Sequence, residues 1–424
     1  KSIIKCAIAY TLVASFSPHF FAINMIIYLT AATYYTNWKT EKKKFIKTLT
    51  ILIILLTALN AYWLQSFYTN PVFQVIDQSH EEFFQPKLSQ NIPASAKIIG
   101  MYGFWREPSY NTYYKTNTPA LYYLTLTTLI TLLLIGYTTK KGKTKNFYFT
   151  LFWIGIILGI GASNPITKPV FTWLFNNIPF FKGFRDSHKF TSLIALSYAY
   201  FIPAAIKKIH KKIKQPKLKL ATTIIITAII ITYTHPLLGI QIKPTTYPQS
   251  YHQLNQHLQN QTTTGHIIYL PWQNYLTYTW TQNTTSDGRI SVPINKVVKK
   301  QVLIGADSWG AENQLNKEIR KCIQQKNITC LKQTRVETII KDKCAKYPDK
   351  YEWTNNNTKT TYENQCIQVI KILETKPKKE TKTPTRYIIG IIITLTTLII
   401  TLKLYTKKEN EKPKQQQTNK HKTT

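Results

Sequence analysis

Acidic residues are few in this chain. Nineteen Asp and Glu stand against 55 Lys and Arg, giving a formal net charge of +36 over 424 residues. None of the acids falls inside a long apolar run. Intramembrane carboxylates are the usual means of coupling protons or sodium to transport, so their absence counts against an ion-coupled transporter and leaves a uniporter or scramblase open. Arginine is scarce as well, with six residues, and no CxxC pair occurs among the five cysteines, which disfavours a four-cysteine metal site. No Met or signal peptide precedes Lys1, so the chain is read as N-terminally incomplete, with upstream helices missing.

The positive charge itself would suggest nucleic acid in a soluble protein, but its distribution does not. Apolar runs near membrane-spanning length alternate with short lysine clusters, the pattern of a polytopic membrane protein. The abundance of Lys, Asn, Ile, Thr and Tyr reads as the bias of an AT-rich genome, so part of the charge carries no function. The expected fold is mostly α: a bundle of about eight spans at 3–17, 19–36, 48–66, 119–137, 147–163, 190–206, 219–236 and 387–405, with a small α/β domain near the C-terminus. Ser17-Pro18-His19 is either a hairpin between two short helices or a break in one element.

Lysine placement predicts the orientation. Lys39, Lys42, Lys43, Lys44 and Lys47 follow the second span; Lys140, Lys141, Lys143 and Lys145 follow the fourth; seven lysines over 207–219 follow the sixth; and the tail is again Lys-rich. These alternate as cytoplasmic loops should under the positive-inside rule. The expected domains are a membrane bundle over 1–236 with outer loops 67–118 and 164–189, an extracytoplasmic domain over 237–386, a final span over 387–405 and a disordered cytoplasmic tail over 406–424. The expected location is the plasma membrane.

In the outer domain His266 to Leu270 reads as a buried strand ending at Pro271, 311–332 as a helix with Leu315, Ile319, Cys322 and Ile323 on one face, 354–358 as a turn, and 336–340 and 366–373 as strands. Cys322, Cys330, Cys344 and Cys366 all fall there, which predicts two disulfides with three possible pairings; free buried thiols are the alternative. Asn260, Asn283, Asn327 and Asn356 begin sequons, several of which chance alone supplies in so Asn- and Thr-rich a chain.

Two outer segments carry the candidate chemistry. Gly100 to Pro108 holds Trp105, Arg106 and Glu107; Asn177 to Phe190 holds Arg185, Asp186, His188 and Lys189 among aromatics. Where lysine is the default cation, a retained arginine points to bidentate binding of phosphate or carboxylate, so Trp105, Arg106, Arg185, His188 and Lys189 are the candidate lipid-phosphate site. Ordinary salt bridges, such as Arg185 with Asp186, or an interfacial anchor with snorkelling cations, are the alternatives. Asp77, Glu81, Glu82 and Glu107 are the carboxylates available for general-base work, or else solvated loop charges.

At the second segment the pattern Pro179-Phe-Phe-x-x-Phe-Arg185-x-x-x-Lys189-Phe190 resembles a stretch of large GT-C-type membrane proteins, the YfhO-like and arabinofuranosyltransferase-like proteins, with Ser187 in place of their usual proline. Gly265 to Pro271, Leu331 to Lys341 and Thr361 to Lys371 are similar to strand motifs of that family in the same order. The resemblance implies a glycosyltransferase acting on the outer face, with membrane lipids and a polyprenyl-phosphate-linked sugar as donor partners and a glycan or glycoprotein as acceptor. It also implies an acid in the first outer loop as base or metal ligand, and a divalent cation is the candidate cofactor. Ser17-Pro18-His19 supplies no acid, and no WWDYG-like motif occurs, Asp307-Ser-Trp-Gly310 being a poor substitute that disfavours an oligosaccharyltransferase. A non-enzymatic membrane protein with a partner-binding outer domain is the alternative reading, and a transporter the third.

Overall fold

The computed structural model describes residues 2–69, 76, 78–86, 92–103, 119–178, 181–234, 246–281, 289–306, 312–374 and 385–410. The membrane half contains α1 (Ser2–Phe16), α2 (Pro18–Tyr35), α3 (Trp38–Leu59), α4 (Ala61–Thr69), α5 (Gln78–Phe83), α6 (Ala94–Ile99), α7 (Pro119–Thr139), α8 (Lys143–Ile160), α9 (Lys168–Asn177), α10 (Thr191–Lys212) and α11 (Pro216–Thr234).

Every apolar run expected to span is helical, but the count of about eight spans does not hold. Among the described residues, four helices are long and apolar enough to cross a bilayer: Tyr122–Thr139, Lys143–Ser163, Ser187–Lys212 and Tyr387–Leu404. The physical reasons differ. Helix α1 has 15 residues, about 22 Å at ~1.5 Å per residue, short of a hydrocarbon layer of about 30 Å. Helix α3 carries Lys39, Lys42, Lys43, Lys44 and Lys47 in its first half.

Small residues let the central helices touch. A methyl group on Gly136 of α7 would stand 2.2 Å from the Phe201 carbonyl oxygen of α10, and one on Gly155 of α8 would stand 2.7 Å from Ile194. Glycine at such crossings lets van der Waals packing replace the hydrophobic drive that lipid removes. Loop 67–118 is correspondingly not a solvated loop throughout. Ile98 of α6 is fully buried and fills the space above Gly159, and Lys97 beside it is buried too.

The C-terminal half begins with α12 (Gln249–Gln259) and β1 (His266–Leu270), followed by β2 (Tyr275–Thr277), β3 (Arg289–Ser291), the single turn α13 (Ile294–Val297) and β4 (Val302–Leu303). Next come α14 (Gln314–Gln324), α15 (Ile328–Gln333), β5 (Val336–Asp342), β6 (Thr358–Glu363), β7 (Ile367–Ile372) and α16 (Thr385–Asn410). The main sheet has the order β4-β1-β5-β7-β6, parallel across β4, β1 and β5 and antiparallel across β7 and β6. Strands β1 and β5 are buried on both faces; β1 accordingly reads as an apolar run, whereas β5 also buries Glu337, Lys341 and Asp342. Ile267 and Tyr269 pack under α12 with Leu254 and Leu258; Ile268 and Leu270 pack on the other side with Ile319 of α14 and Leu331 of α15.

The helix expected over 311–332 is two helices. Lys326 adopts a left-handed φ of 51°, and the Asn327 side chain then caps α15 by accepting from the Cys330 amide at 3.0 Å. A disulfide closes the break, Cys322–Cys330, and a second, Cys344–Cys366, ties the end of β5 to the start of β7. Asp342 organises that corner while buried: its carboxylate accepts from the hydroxyls of Tyr251 (2.7 Å) and Tyr269 and from the amides of Cys344 (2.8 Å) and Ala345 (3.2 Å). Segment 361–371 is a hairpin, its turn held by Asn364 accepting from the Cys366 and Ile367 amides. The sequon at Asn283 and the Asp307–Gly310 stretch lie outside the described residues. Helix α16 runs on through Asn410, five residues into the tail expected to be disordered. It is seated rather than a bare tether: Thr394 accepts from the Tyr62 amide at 3.1 Å and donates to the Ala58 carbonyl at 3.3 Å.

Glu337 generates a pH prediction. Its burial alone would raise the carboxyl, but the Gly265 and Thr264 amides, with Lys371, outweigh this and hold it below the usual carboxylate range. A depressed folded value means the stabilisation is present above that range and is lost as pH falls through it. Glu337→Gln is therefore expected to cost about 1–3 kcal/mol at neutral pH, with the deficit vanishing in acid. Urea unfolding of the full chain, followed by tryptophan fluorescence across pH, checks this.

Candidate functional site

The segment expected to carry the phosphate site folds into two 3-10 turns, Phe181–Phe184 and Ser187–Phe190, that lead into α10. Three of its aromatics do not lie on the surface. Phe181, Phe184 and Phe190 are buried, with Phe184 and Phe190 stacked at 4.7 Å between centroids and Phe171 of α9 edge-on to Phe181 at 5.4 Å. The reading of this stretch as a simple interfacial anchor is thus incomplete: the rings are a core, and the exposed aromatic is Trp173.

A knot of hydrogen bonds fixes the turns to the end of α8. The Gln85 side chain donates to the carbonyls of Glu81 (2.8 Å) and Arg185 (3.0 Å) and accepts from the Ala162 amide (3.1 Å). Ser187 donates to the Gly159 carbonyl at 2.7 Å. Gly161 closes the knot with a φ of 58°, and a Cβ there would stand 2.1 Å from Gln85 Oε1.

On this frame Lys189 projects toward the α1–α2 hairpin. Ser17 caps α2, with Pro18 at the first helical position and the Ser17 oxygen accepting from the His19 amide. The His19 ring reaches across the fold: Nε2 lies 2.9 Å from Lys189 Nζ and 2.8 Å from the Gly183 carbonyl oxygen, Nδ1 lies 3.1 Å from Ser17 Oγ, and the ring is edge-on to Phe184 at 5.2 Å. Lys189 Nζ also meets Asp186 Oδ2 at 3.1 Å and the Gly183 carbonyl at 3.3 Å. The two contacts of His19 Nε2 compete. If Nε2 accepts from Lys189 it cannot donate to Gly183, and if it is protonated it faces an ammonium. An anion would relieve that competition by drawing Lys189 outward.

Beside these groups lies a cavity of about 260 Å³, lined by Ser17, His19, Phe20, Ile23, Met101, Lys189, Thr191, Ser192 and Ala195. One wall is apolar; the other offers a cation, an imidazole and three hydroxyls. Ser192 Oγ is buried with no hydrogen-bond partner among the described residues, as is Asp186 Oδ1. Buried polar groups in native proteins are ordinarily paired, so an unpaired hydroxyl on a cavity wall points to something that binds there.

The sequence-predicted residues divide accordingly. Lys189 lines the cavity, while Arg185 lies on the other side of the turn, its guanidinium 4.4 Å from the centre of the Phe84 ring. Asp186 forms its ion pair with Lys189, not with Arg185. His188 follows Ser187 in the second 3-10 turn, and the cavity's imidazole is His19 instead. Glu81 is no solvated loop charge: it is buried and accepts from Thr172 at 2.7 Å. Burial pushes its carboxyl above the usual range and the neighbouring Glu82 adds to this, against the Thr172 hydroxyl and Lys168. Glu82 is half-exposed and pairs with Lys168 at 3.0 Å. Asp77, Trp105, Arg106 and Glu107 lie outside the described residues. His19, Ser17, Ser192 and Gln85 were not anticipated. Ser17-Pro18-His19 was read as a hairpin or a break, and the contact it presents spans 164 residues.

Fold and cavity together define a membrane protein with a helical bundle, a small disulfide-bonded α/β domain and a cationic cavity at one end of the bundle. Two solved structures share this fold: the arabinofuranosyltransferase AftD from Mycobacteria, at 11% identity and a TM-score of 0.51, and a mutant form of the same enzyme, at 12% and 0.50. Each match covers 88% of this chain, which spans 27% and 29% of those longer chains. The expected likeness to arabinofuranosyltransferase-like proteins therefore holds at the level of fold, and neither structure is a YfhO-like protein. No family profile and no curated protein matches the chain.

The knot gives a test of the frame. Gly161→Ala should displace Gln85 and strain the turn, costing about 1–3 kcal/mol, whereas Gly142→Ala, where a Cβ meets nothing within 4 Å, isolates the cost of a left-handed φ alone. Thermal unfolding of the two variants side by side should show the larger loss at Gly161.

Proposed function

We propose that this chain is a membrane glycosyltransferase-like protein that holds the phosphate of a polyprenyl-phosphate-linked sugar in the His19–Lys189 cavity. The observation that carries the reading is the cavity's two-sided lining: Lys189, His19 and the hydroxyls of Ser17, Thr191 and Ser192 suit a phosphate, and Phe20, Ile23, Met101 and Ala195 suit the first carbons of its lipid. Lys189 exchanges Asp186 for the phosphate, and Ser192 donates its unpaired hydroxyl. Arg185, braced on Phe84, is the second cation. Met101 lines the cavity five residues before Arg106 and six before Glu107 in sequence, so these residues, with Trp105, are the nearest further candidates for donor and base; Asp77, Glu81 and Glu82 complete the carboxylate set.

In this reading the cavity faces the side of the plasma membrane away from the cytoplasm, as does the domain over 237–386, which receives the glycan or glycoprotein acceptor. Lys-rich turns at the opposite end support that orientation. A divalent cation would belong with the carboxylates rather than the cavity, whose described lining has none. That same lining favours a second reading, in which the chain binds the lipid-linked phosphate and hands it on without sugar transfer.

Lys189→Met at unchanged expression should weaken binding of polyprenyl phosphate about 10- to 100-fold, the worth of one charge-assisted hydrogen bond. Arg185→Ala should lower it less. Equilibrium binding in detergent tests both, and full retention by Lys189→Met would sink the proposal. Transfer from a radiolabelled lipid-linked sugar separates the two readings: product in the parent chain selects the enzyme.

A further inference from the structure

Three lysine clusters far apart in sequence meet at one end of the helix bundle. Tyr35, at the end of α2, donates to Thr144 at the start of α8 at 2.8 Å. Lys208, near the end of α10, donates to Thr138 at the end of α7 at 3.3 Å. The turns between α2 and α3, α7 and α8, and α10 and α11 are therefore neighbours, and they bring together five, four and seven lysines with a single carboxylate, Glu41. Among the described residues the ion pair in this group is Lys44 with Glu41, at 3.8 Å and well exposed.

Some of these lysines are not left to swing in solvent. Lys145 Nζ sits 4.1 Å from the centre of the Tyr137 ring and Lys140 Nζ 4.8 Å from that of Tyr200, which stacks on Tyr148 at 4.1 Å. Tyrosine faces hold a cation in place without neutralising it. Several of the other lysines stand in the first turns of α3, α8 and α11, where the helix macrodipole disfavours a cation. A concentration of like charge, positioned by aromatic rings and holding a single carboxylate, calls for anions from outside the chain.

We infer that this end of the bundle is a binding collar for anionic phospholipid headgroups, with Lys140, Lys145 and Lys208, gathered around the ends of α7, α8 and α10, meeting a headgroup phosphate. The lipid phosphate accepts from the ammonium groups, and the tyrosines contact the glycerol and upper acyl carbons, as basic clusters and aromatic belts do at membrane interfaces. This collar is at the other end of α2 and α8 from His19 and Gly161, so it is independent of the proposed donor cavity.

The full chain, equilibrated in detergent with equal phosphatidylglycerol and phosphatidylcholine, should retain the anionic lipid in about tenfold preference by native mass spectrometry. Replacing Lys140, Lys145 and Lys208 together by Gln should bring that preference close to parity, and replacing all three by Arg should keep it. Thermal stability in phosphatidylcholine alone, unchanged in both variants, shows that the fold survives. Salt at about 0.5 M should weaken the preference in the parent chain. Equal retention of both lipids by the parent chain would overturn the inference, as would a preference unaltered in the Gln variant. Displacement by free pyrophosphate as effective as by lipid would also overturn it, assigning the cations to a soluble anion.

Discussion

Charge is expensive in hydrocarbon, by several kcal/mol for each unpaired group, and that cost arranges this molecule. The four helices among the described residues that are fit to cross a bilayer carry almost all of their lysines at their ends. One end of the bundle collects lysines from three turns. The other end collects Arg185, Asp186, Lys189 and His19, and there the charges are few, partly buried and paired through specific geometry. A cation with a defined seat recognises; a cation in a crowd attracts.

The seat of Lys189 depends on residues that carry no charge. The stacked rings of Phe184 and Phe190 hold the 3-10 turns inside the bundle, Gln85 and Ser187 tie their backbone to α8, and Gly161 gives the chain the left-handed turn that leaves room for Gln85. Lys189 then has three partners, His19, Gly183 and Asp186, and under the proposed function a ligand phosphate takes the place of Asp186. This is why the unpaired Ser192 hydroxyl matters: it costs stability where it stands unless something accepts from it. The C-terminal α/β domain is built on another principle. Its core forms between two helical layers and a sheet, and its two disulfides secure the places where backbone regularity ends, at the α14–α15 break and the β5–β7 corner.

Much of this was readable in the sequence. The apolar runs became helices, and the strands at 266–270, 336–342 and 367–372 fell close to where apolar runs between turn residues put them. The span count failed because an apolar run was equated with a crossing, although α1 is too short and α3 spends its first turns on lysine. The break at 325–327 was written in Asn327, whose role as a helix cap was hidden behind its role as a sequon. The site was half legible. Lys189 stood out within an unusual aromatic motif, whereas His19 looked like an ordinary residue of a hairpin. A contact between residues 19 and 183 has no local signature. The Arg185–Asp186 pairing was a guess from adjacency, and helical spacing won: Asp186 reaches Lys189 three residues on.

Sidedness decides whether the cavity and the disulfide-bonded domain can serve one reaction. Single cysteines placed at Lys182, Asn356 and Lys211, in a chain whose Cys6 is replaced by Ser, can be labelled in intact cells with a thiol reagent that does not cross the bilayer. The account predicts that positions 182 and 356 react from outside and that position 211 reacts after the membrane is opened. Labelling of 211 together with 356 in intact cells, or of 182 without 356, would contradict it.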